Sequence, residues 1–184
     1  MDQGKMDYEA FLAGDDNGLA RIIQNYKDGL IFYLNSFVHD LFVSEELTEE
    51  VFVKLVVKKP KFKSCSAFKT WLYAIGRNTA LSYLRHNHNK DSIVREVLEF
   101  DETERELENF YISKEEQRIL YRAIDALKPE YRQVLWLTYF EGFSHKETAR
   151  IIGKTVHNVA TLVYRARLAL KSKLDEEGFV YERL

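Results

Sequence analysis

The stretch Glu141 to Leu174, EGFSHKETARIIGKTVHNVATLVYRARLALKSKL, leaves a chain little freedom in how it folds. Ser144 followed three residues later by Glu147 is a capping box, in which each side chain satisfies the other residue's free backbone N–H. The spacing predicts a helix with Thr148, Ala149 and Ile152 on its inner face, stopped by Gly153 in the left-handed conformation. Thr155 then caps a second helix, whose apolar Val159, Leu162, Val163, Ala166 and Leu170 form one stripe. Two short capped helices across a glycine turn make a helix-turn-helix. The face opposite the stripe presents His157, Asn158, Thr161 and Tyr164, with Arg165 and Lys171 flanking. Short hydrogen-bonding side chains at the start of such a helix suit base edges in the major groove. A helical hairpin with a solvated polar face is the plainer alternative.

At 184 residues the chain holds one large domain or two small ones. A hydrophobic share of 46% and an aromatic share of 14% exclude global disorder. Only two prolines and eight glycines point to long uninterrupted helices. The single cysteine, Cys65, rules out a disulfide framework and suits a reducing cytoplasm. No leader-like N-terminal run and no stretch of about 18 apolar residues occur, so no membrane insertion and a cytoplasmic location are expected.

The formal net charge of −2 conceals segregation. From Lys58 to Lys90 there are eight basic residues (58, 59, 61, 63, 69, 77, 85 and 90) and no acid. From Asp91 to Phe110 there are eight acids against Arg95 and Arg105. From Lys128 to Leu174 there are nine basic residues against Glu130, Glu141 and Glu147. Two basic blocks around an acidic one read as two polyanion-binding surfaces on a solvated connector.

Ahead of the first basic block, residues Asp7 to Ala13 suit a short helix. Asp15 or Asp16 caps a longer one with Leu19, Ile22, Ile23, Tyr26, Leu30, Tyr33, Leu34 and Phe37 along its core line. Gly29 lies inside that helix, so packing rather than propensity must hold the turn. Ser44 is expected to cap the next helix, with Leu47, Val51 and Leu55 at helical spacing. Phe52, Val53, Val56 and Val57 make this helix apolar on a second side. Pattern alone favours burial over an acid-rimmed face awaiting a partner. After Pro60, Ser66 is expected to cap a helix with Phe68, Leu72, Ile75 and Thr79 on its core line. Around it stand Lys69, Trp71, Tyr73, Arg77, Asn78, Tyr83 and Arg85, following Lys61 and Lys63. Cations interleaved with rings suit single-stranded nucleic acid, although Trp71 reads better as core.

Asp91 to Tyr111 reads as a linker, with some helix around Arg95 to Phe100. Ser113 with Glu116 forms a second capping box, for a helix burying Leu120, Ala123, Ile124 and Leu127. Pro129 starts the helix that feeds the helix-turn-helix. In the acidic tail Asp175 to Leu184, Phe179, Val180 and Tyr181 are placed to dock back onto the domain. Catalytic groups are wanting: there is no glycine-rich phosphate loop and no G-x-S-x-G elbow. His86 and His88 lack further ligands at metal spacing. Neither an enzyme nor a metal or other cofactor is expected.

Two stretches match one family. SEELTEEVFVKLVVKKPKFKSCSAFKTWLYAIGRNTALSYLRH resembles region 2 of sigma-70-family factors of the extracytoplasmic-function (ECF) group. The matching residues are Glu46, Leu47, Glu49, Glu50 and Phe52, then Phe68, Trp71, Leu72, Ile75 and Asn78, then Tyr83, Leu84 and Arg85. LKPEYRQVLWLTYFEGFSHKETARIIGKTVHNVATLVYRARLALKSKL resembles that group's region 4. The resemblance implies an all-α fold of two helical domains, residues 1–90 and 113–184, joined by an acidic linker at 91–112. It implies a promoter-specificity subunit of RNA polymerase without catalysis of its own. Partners would be core RNA polymerase (the coiled coil of its largest subunit and the flap of the second-largest), promoter DNA and an anti-sigma factor.

The resemblance also assigns residues. Glu46, Leu47, Glu49, Glu50, Phe52 and Val53 would dock on the polymerase coiled coil, which turns the doubly apolar helix into a partner surface. Lys61, Lys63, Lys69, Arg77, Asn78, Tyr83 and Arg85 would melt the minus-ten element and hold its non-template strand. Ser144, Lys146, His157, Asn158, Thr161, Tyr164, Arg165 and Arg167 would bind the minus-35 duplex. Relatives often carry a Lys–Ser–Arg-like triplet where this chain has Ala160, Thr161 and Leu162, so contacts of those basic side chains do not transfer. Two rival readings use less of the chain: a stand-alone helix-turn-helix regulator, and a single-strand nucleic-acid chaperone.

Overall fold

The computed structural model describes residues 2–62, 66–91 and 115–179. The linker, the Ser113 half of the second capping box, Lys63, Cys65 and the tail from Val180 onward lie outside them. Eight α-helices and one π-helical turn make up the described residues, among which there is no strand. They are α1 Gln3–Leu12, α2 Asp16–Val38, α3 Leu41–Lys58, α4 Phe68–Asp91, α5 Glu115–Asp125, α6 Pro129–Leu135, α7 His145–Ile152 and α8 Val156–Glu176. The turn Trp136–Phe140 continues α6 with a wider winding. No described helix is long and apolar enough to cross a membrane.

In the N-terminal half, α2 is the hub on which α1, α3 and α4 pack. Ile22, Leu30, Tyr33, Leu34 and Phe37 of its core line are buried, against Val51 and Leu55 of α3 and Phe68 and Leu72 of α4. Asp15 caps α2 by accepting from the Asn17 N–H at 3.1 Å. Three other starts differ from the sequence reading. The first helix begins at Gln3 rather than Asp7, because Asp2 caps it; Asp7 is instead buried and paired with Arg21 at 2.6 Å. The third begins at Leu41, because Asp40 accepts from the Val43 N–H at 2.9 Å. Ser44 is buried one turn inside it and donates back to the Asp40 carbonyl at 2.6 Å. Nor does Ser66 cap α4: the first N–H of that helix, on Phe68, is taken by the Asp2 carboxylate at 2.7 Å. A cap supplied from 66 residues away leaves no local signal.

In the C-terminal half, α8 is the hub for α5, α6 and α7. Ala123, Ile124 and Leu127 are buried as their spacing predicts, and Pro129 opens α6. The two halves also touch, through α4 on α7 and α2 on α6. Arg132 of α6 is almost wholly buried there. Its guanidinium donates to the Ser36 carbonyl in the last turn of α2 at 3.2 and 3.3 Å, and to the carbonyls of Asp125 at 2.8 Å and Leu127 at 3.2 Å.

His39 closes α2 in the left-handed conformation, at φ 54°. Burial, aided by the nearby Arg132 charge, pushes its pKa down from 6.5 to about 4. The unfolded chain therefore takes up this proton first, so the contribution to stability is whole above about pH 6.5 and fades as pH falls toward about 4. The side chain is nevertheless exposed at the protein surface, so solvent screening keeps the effect small. His39→Asn keeps a side chain that tolerates the left-handed region. It is expected to shrink the loss of melting temperature between neutral and mildly acidic buffer. Thermal melts across that range decide, and an acid sensitivity equal to wild type would contradict the assignment.

Candidate nucleic-acid interface

The helix-turn-helix forms as its caps dictate. The Ser144 N–H and hydroxyl both donate to Glu147 Oε2, at 2.9 and 2.6 Å, and the Glu147 N–H returns to Ser144 Oγ at 3.3 Å. These bonds, with Ser144's hydroxyl foremost, hold the Glu147 carboxyl below its ordinary pKa. The Ser144 hydroxyl is thus engaged in the cap. Gly153 takes φ 68°, which lets the chain turn into α8, where Thr155 Oγ1 accepts from the Asn158 N–H at 3.2 Å. Val159, Val163 and Ala166 are buried, while Leu162 and Leu170 are half-buried beside them.

At 3.6 residues per turn, His157, Asn158, Thr161 and Arg165 fall on one side of α8, away from the buried stripe. All but the half-buried Thr161 are exposed, and Lys146 of α7 is exposed as well. By the same count Tyr164 lies beside His157, while Arg167 lies further round the helix; both are exposed. With Leu120, Ile124, Leu168 and Lys171 they line an apolar cavity of about 510 Å³ between α5, the π-helical turn and α8. Tyr164 thus borders both the polar face of α8 and the cavity.

On α4, Asn78 and Arg85 are exposed, Tyr83 is half-buried and Lys61 is exposed ahead of the helix. Arg85 folds onto its own helix, donating to the Leu81 carbonyl at 3.3 Å and to Ser82 Oγ at 3.1 Å. Arg77 is half-buried, close enough to Tyr33 for its charge to act on that phenol. Trp71 packs at tilted angles against Tyr8, Phe62 and Phe68, at centroid distances of 5.3 to 5.4 Å, as a half-buried core residue. Lys69 is engaged across the halves: Nζ meets Glu141 Oε2 at 2.8 Å and donates to the Glu141 carbonyl at 2.9 Å. Lys69 also lies over the Phe143 ring at 4.8 Å. His86 lies on the exposed side of α4, with Nδ1 at 2.7 Å from the Ser82 carbonyl.

Helix α3 divides the residues assigned to polymerase docking. Leu47 and Phe52 are buried in the core and offer no surface. Glu46, Glu49, Glu50 and Val53 are exposed, and helical spacing groups them with Phe42, Glu45, Val56 and Val57. Phe42 is 67% exposed and Val57 73%, a degree at which neither belongs to the core. The doubly apolar character therefore resolves into one buried face and one open face ringed by carboxylates. Glu50 pairs with Lys54 at 2.7 Å, and Lys54 reaches Thr79 of α4 at 2.8 Å, which fixes the helix pair. Phe42 went unassigned because a helix begun at Ser44 would exclude it.

The chain matches known families along most of its length. The family models for sigma-70 region 2 and sigma-70 region 4 match residues 22–90 and 117–170, in that order. The chain is 29% identical over 171 residues to the RNA polymerase sigma-H factor of Pseudomonas aeruginosa, with 88% of this chain and 89% of that protein covered. The ECF RNA polymerase sigma-E factor of Escherichia coli K12 matches to the same identity and extent. Among solved structures, CnrH in complex with the cytosolic domain of CnrY aligns with a TM-score of 0.69 at 21% identity, over 95% of this chain and 99% of CnrH. The sigma factor RpoE in complex with the anti-sigma factor NepR from Bartonella quintana aligns with a TM-score of 0.66 at 22% identity, over 85% and 96%. These last two share the fold. With both sigma-70 regions present in order and relatives matched along nearly their whole length, the chain belongs to the sigma-70 family of RNA polymerase sigma factors, in its ECF group.

Proposed function

We propose that this chain is a promoter-specificity subunit that joins core RNA polymerase in the cytoplasm and directs initiation, without chemistry of its own. The observation that carries the reading is the pairing, in one fold, of a basic aromatic helix with a helix-turn-helix whose reading face is open. Residues 1–90 would bind the polymerase and melt the minus-ten element, 91–112 would link, and 113–184 would read the minus-35 element. The open face of α3 would meet the coiled coil of the largest subunit, acids outside and valines within. The apolar cavity beside α8 would receive the flap of the second-largest subunit, and an anti-sigma factor would compete for these surfaces. Strand melting tests the reading: thymines in the minus-ten element should become reactive to permanganate only when core polymerase and this chain are both present. Reactivity with either alone, or none with both together, would overturn it.

The geometry also sorts the duplex contacts. Asn158 offers a donor and an acceptor together, as an adenine edge requires, while Arg165 on the flank can reach guanine or a phosphate. Losing a bidentate base contact costs about 1–3 kcal/mol at one position, while losing a phosphate contact weakens all sequences alike. Asn158→Ala is therefore expected to relax one minus-35 position in a randomised promoter library. Unaltered preferences in that variant would remove Asn158 from the readers.

A further inference from the structure

Glu141 stands where the π-helical turn ends, and its N–H bonds to the Trp136 carbonyl at 3.0 Å across the wide winding. That geometry aims its carboxylate out of the helix-turn-helix half and into a notch on the other half. The floor of the notch is Gly29 of α2, where a β-carbon would come within 2.6 Å of Glu141 Oε1 and would collide with the Tyr73 hydroxyl. One wall is Lys69, with Nζ at 2.8 Å from Oε2. The other is Tyr73, which hydrogen-bonds the same carboxylate and is capped by the Phe143 ring at 5.0 Å. Burial, together with Glu141, pushes the Tyr73 phenol far above its ordinary pKa, so it stays a donor. A lysine, a phenol and a floor without a side chain make a site for an oxyanion. Its present occupant is a carboxylate of the chain itself, only 11% exposed.

We propose that Gly29, Lys69 and Tyr73 form an oxyanion notch with two alternative ligands: the Glu141 carboxylate while the halves are closed, and a backbone phosphate of single-stranded DNA once they part. This rests on the reading of α4 as the helix that holds the non-template strand. The closed chain thereby masks one of its own strand contacts, and occupancy by DNA opposes closure. A ligand that competes with an internal group binds with its affinity reduced by the fraction of chain that is open. The free chain is accordingly a weak single-strand binder.

Two measurements on the full chain test this: radius of gyration by X-ray scattering, and binding of fluorescein-labelled oligothymidine by anisotropy. If nine-tenths of the wild type is closed, Glu141→Gln expands the chain and tightens oligothymidine binding about tenfold. Glu141→Ala gives the same result where glutamine keeps the bond to Tyr73, and a cooperative melt confirms that each variant is folded. Lys69→Ala expands the chain equally without any gain in binding, and the double variant behaves like Lys69→Ala. Glu141 variants as compact and as weakly binding as wild type would overturn the proposal. So would expansion without tighter binding, or Lys69→Ala binding as tightly as Glu141→Gln. No polymerase enters these assays, so a chain that behaves as described but fails to direct polymerase would refute the sigma-factor reading and leave the notch standing.

Discussion

Arg132→Leu is expected to lower the melting temperature by roughly 6–12 °C, a large effect for one side chain. Arg132 is 4% exposed, and its guanidinium satisfies three main-chain carbonyls, those of Ser36, Asp125 and Leu127. Leucine fills much of the volume but leaves those carbonyls buried without donors. A buried ion pair can be exchanged for apolar residues at little cost because both charges go together. Here only the donor goes, and the loss is about 2–4 kcal/mol. Burial already pulls the Arg132 pKa down, with the Asp125 charge opposing, which marks a cation with little solvent to fall back on. Arg132→Lys, lacking the planar fork, should fall between. Because these bonds join α2 to α6, the leucine variant should also melt less cooperatively. A melting curve within a degree or two of wild type would contradict the argument.

Val53→Asp and Val57→Asp should each weaken assembly with core polymerase at least tenfold, which is about 1.4 kcal/mol. Both valines are exposed on the acid-ringed face of α3, so neither substitution should alter the melt. Leu47→Ala supplies the contrast. Leu47 is 3% exposed, and its truncation should cost about 2–5 kcal/mol of stability before any effect on assembly. Pull-down by core polymerase beside circular dichroism separates the two. Full assembly by both aspartate variants would move the docking surface off α3.

The division within α3 shows what the sequence could and could not say. Leu47, Val51 and Leu55 declared a buried stripe by spacing, and they are buried. Phe52 looked equally available for a partner, because alternation of Phe52 and Val53 carries no sign of which side α4 covers. The local capping signals of α7 and α8 were legible down to single bonds, since donor and acceptor lie three residues apart. The start of α4 was not, since its donor is met by Asp2 from the other end of the N-terminal half. The same holds for the site. His157, Asn158 and Arg165 follow from helical phase, whereas the notch needs Gly29, Lys69, Tyr73 and Glu141 from three separated stretches. Gly29 did leave a trace, as a glycine that helix propensity could not explain. What it allowed, the approach of Tyr73 and Glu141, appears only in three dimensions.

Run-off transcription shows whether this chain confers promoter specificity on core polymerase. Purified core polymerase is offered a set of candidate promoters, with and without this chain. Specific run-off products are expected only when the chain is present, abolished by Val57→Asp and redistributed among promoters by Asn158→Ala. Core polymerase that gains no promoter-specific product from the wild-type chain on any template, while the chain alone binds duplex DNA tightly and sequence-specifically, would contradict the sigma-factor reading in favour of a stand-alone regulator.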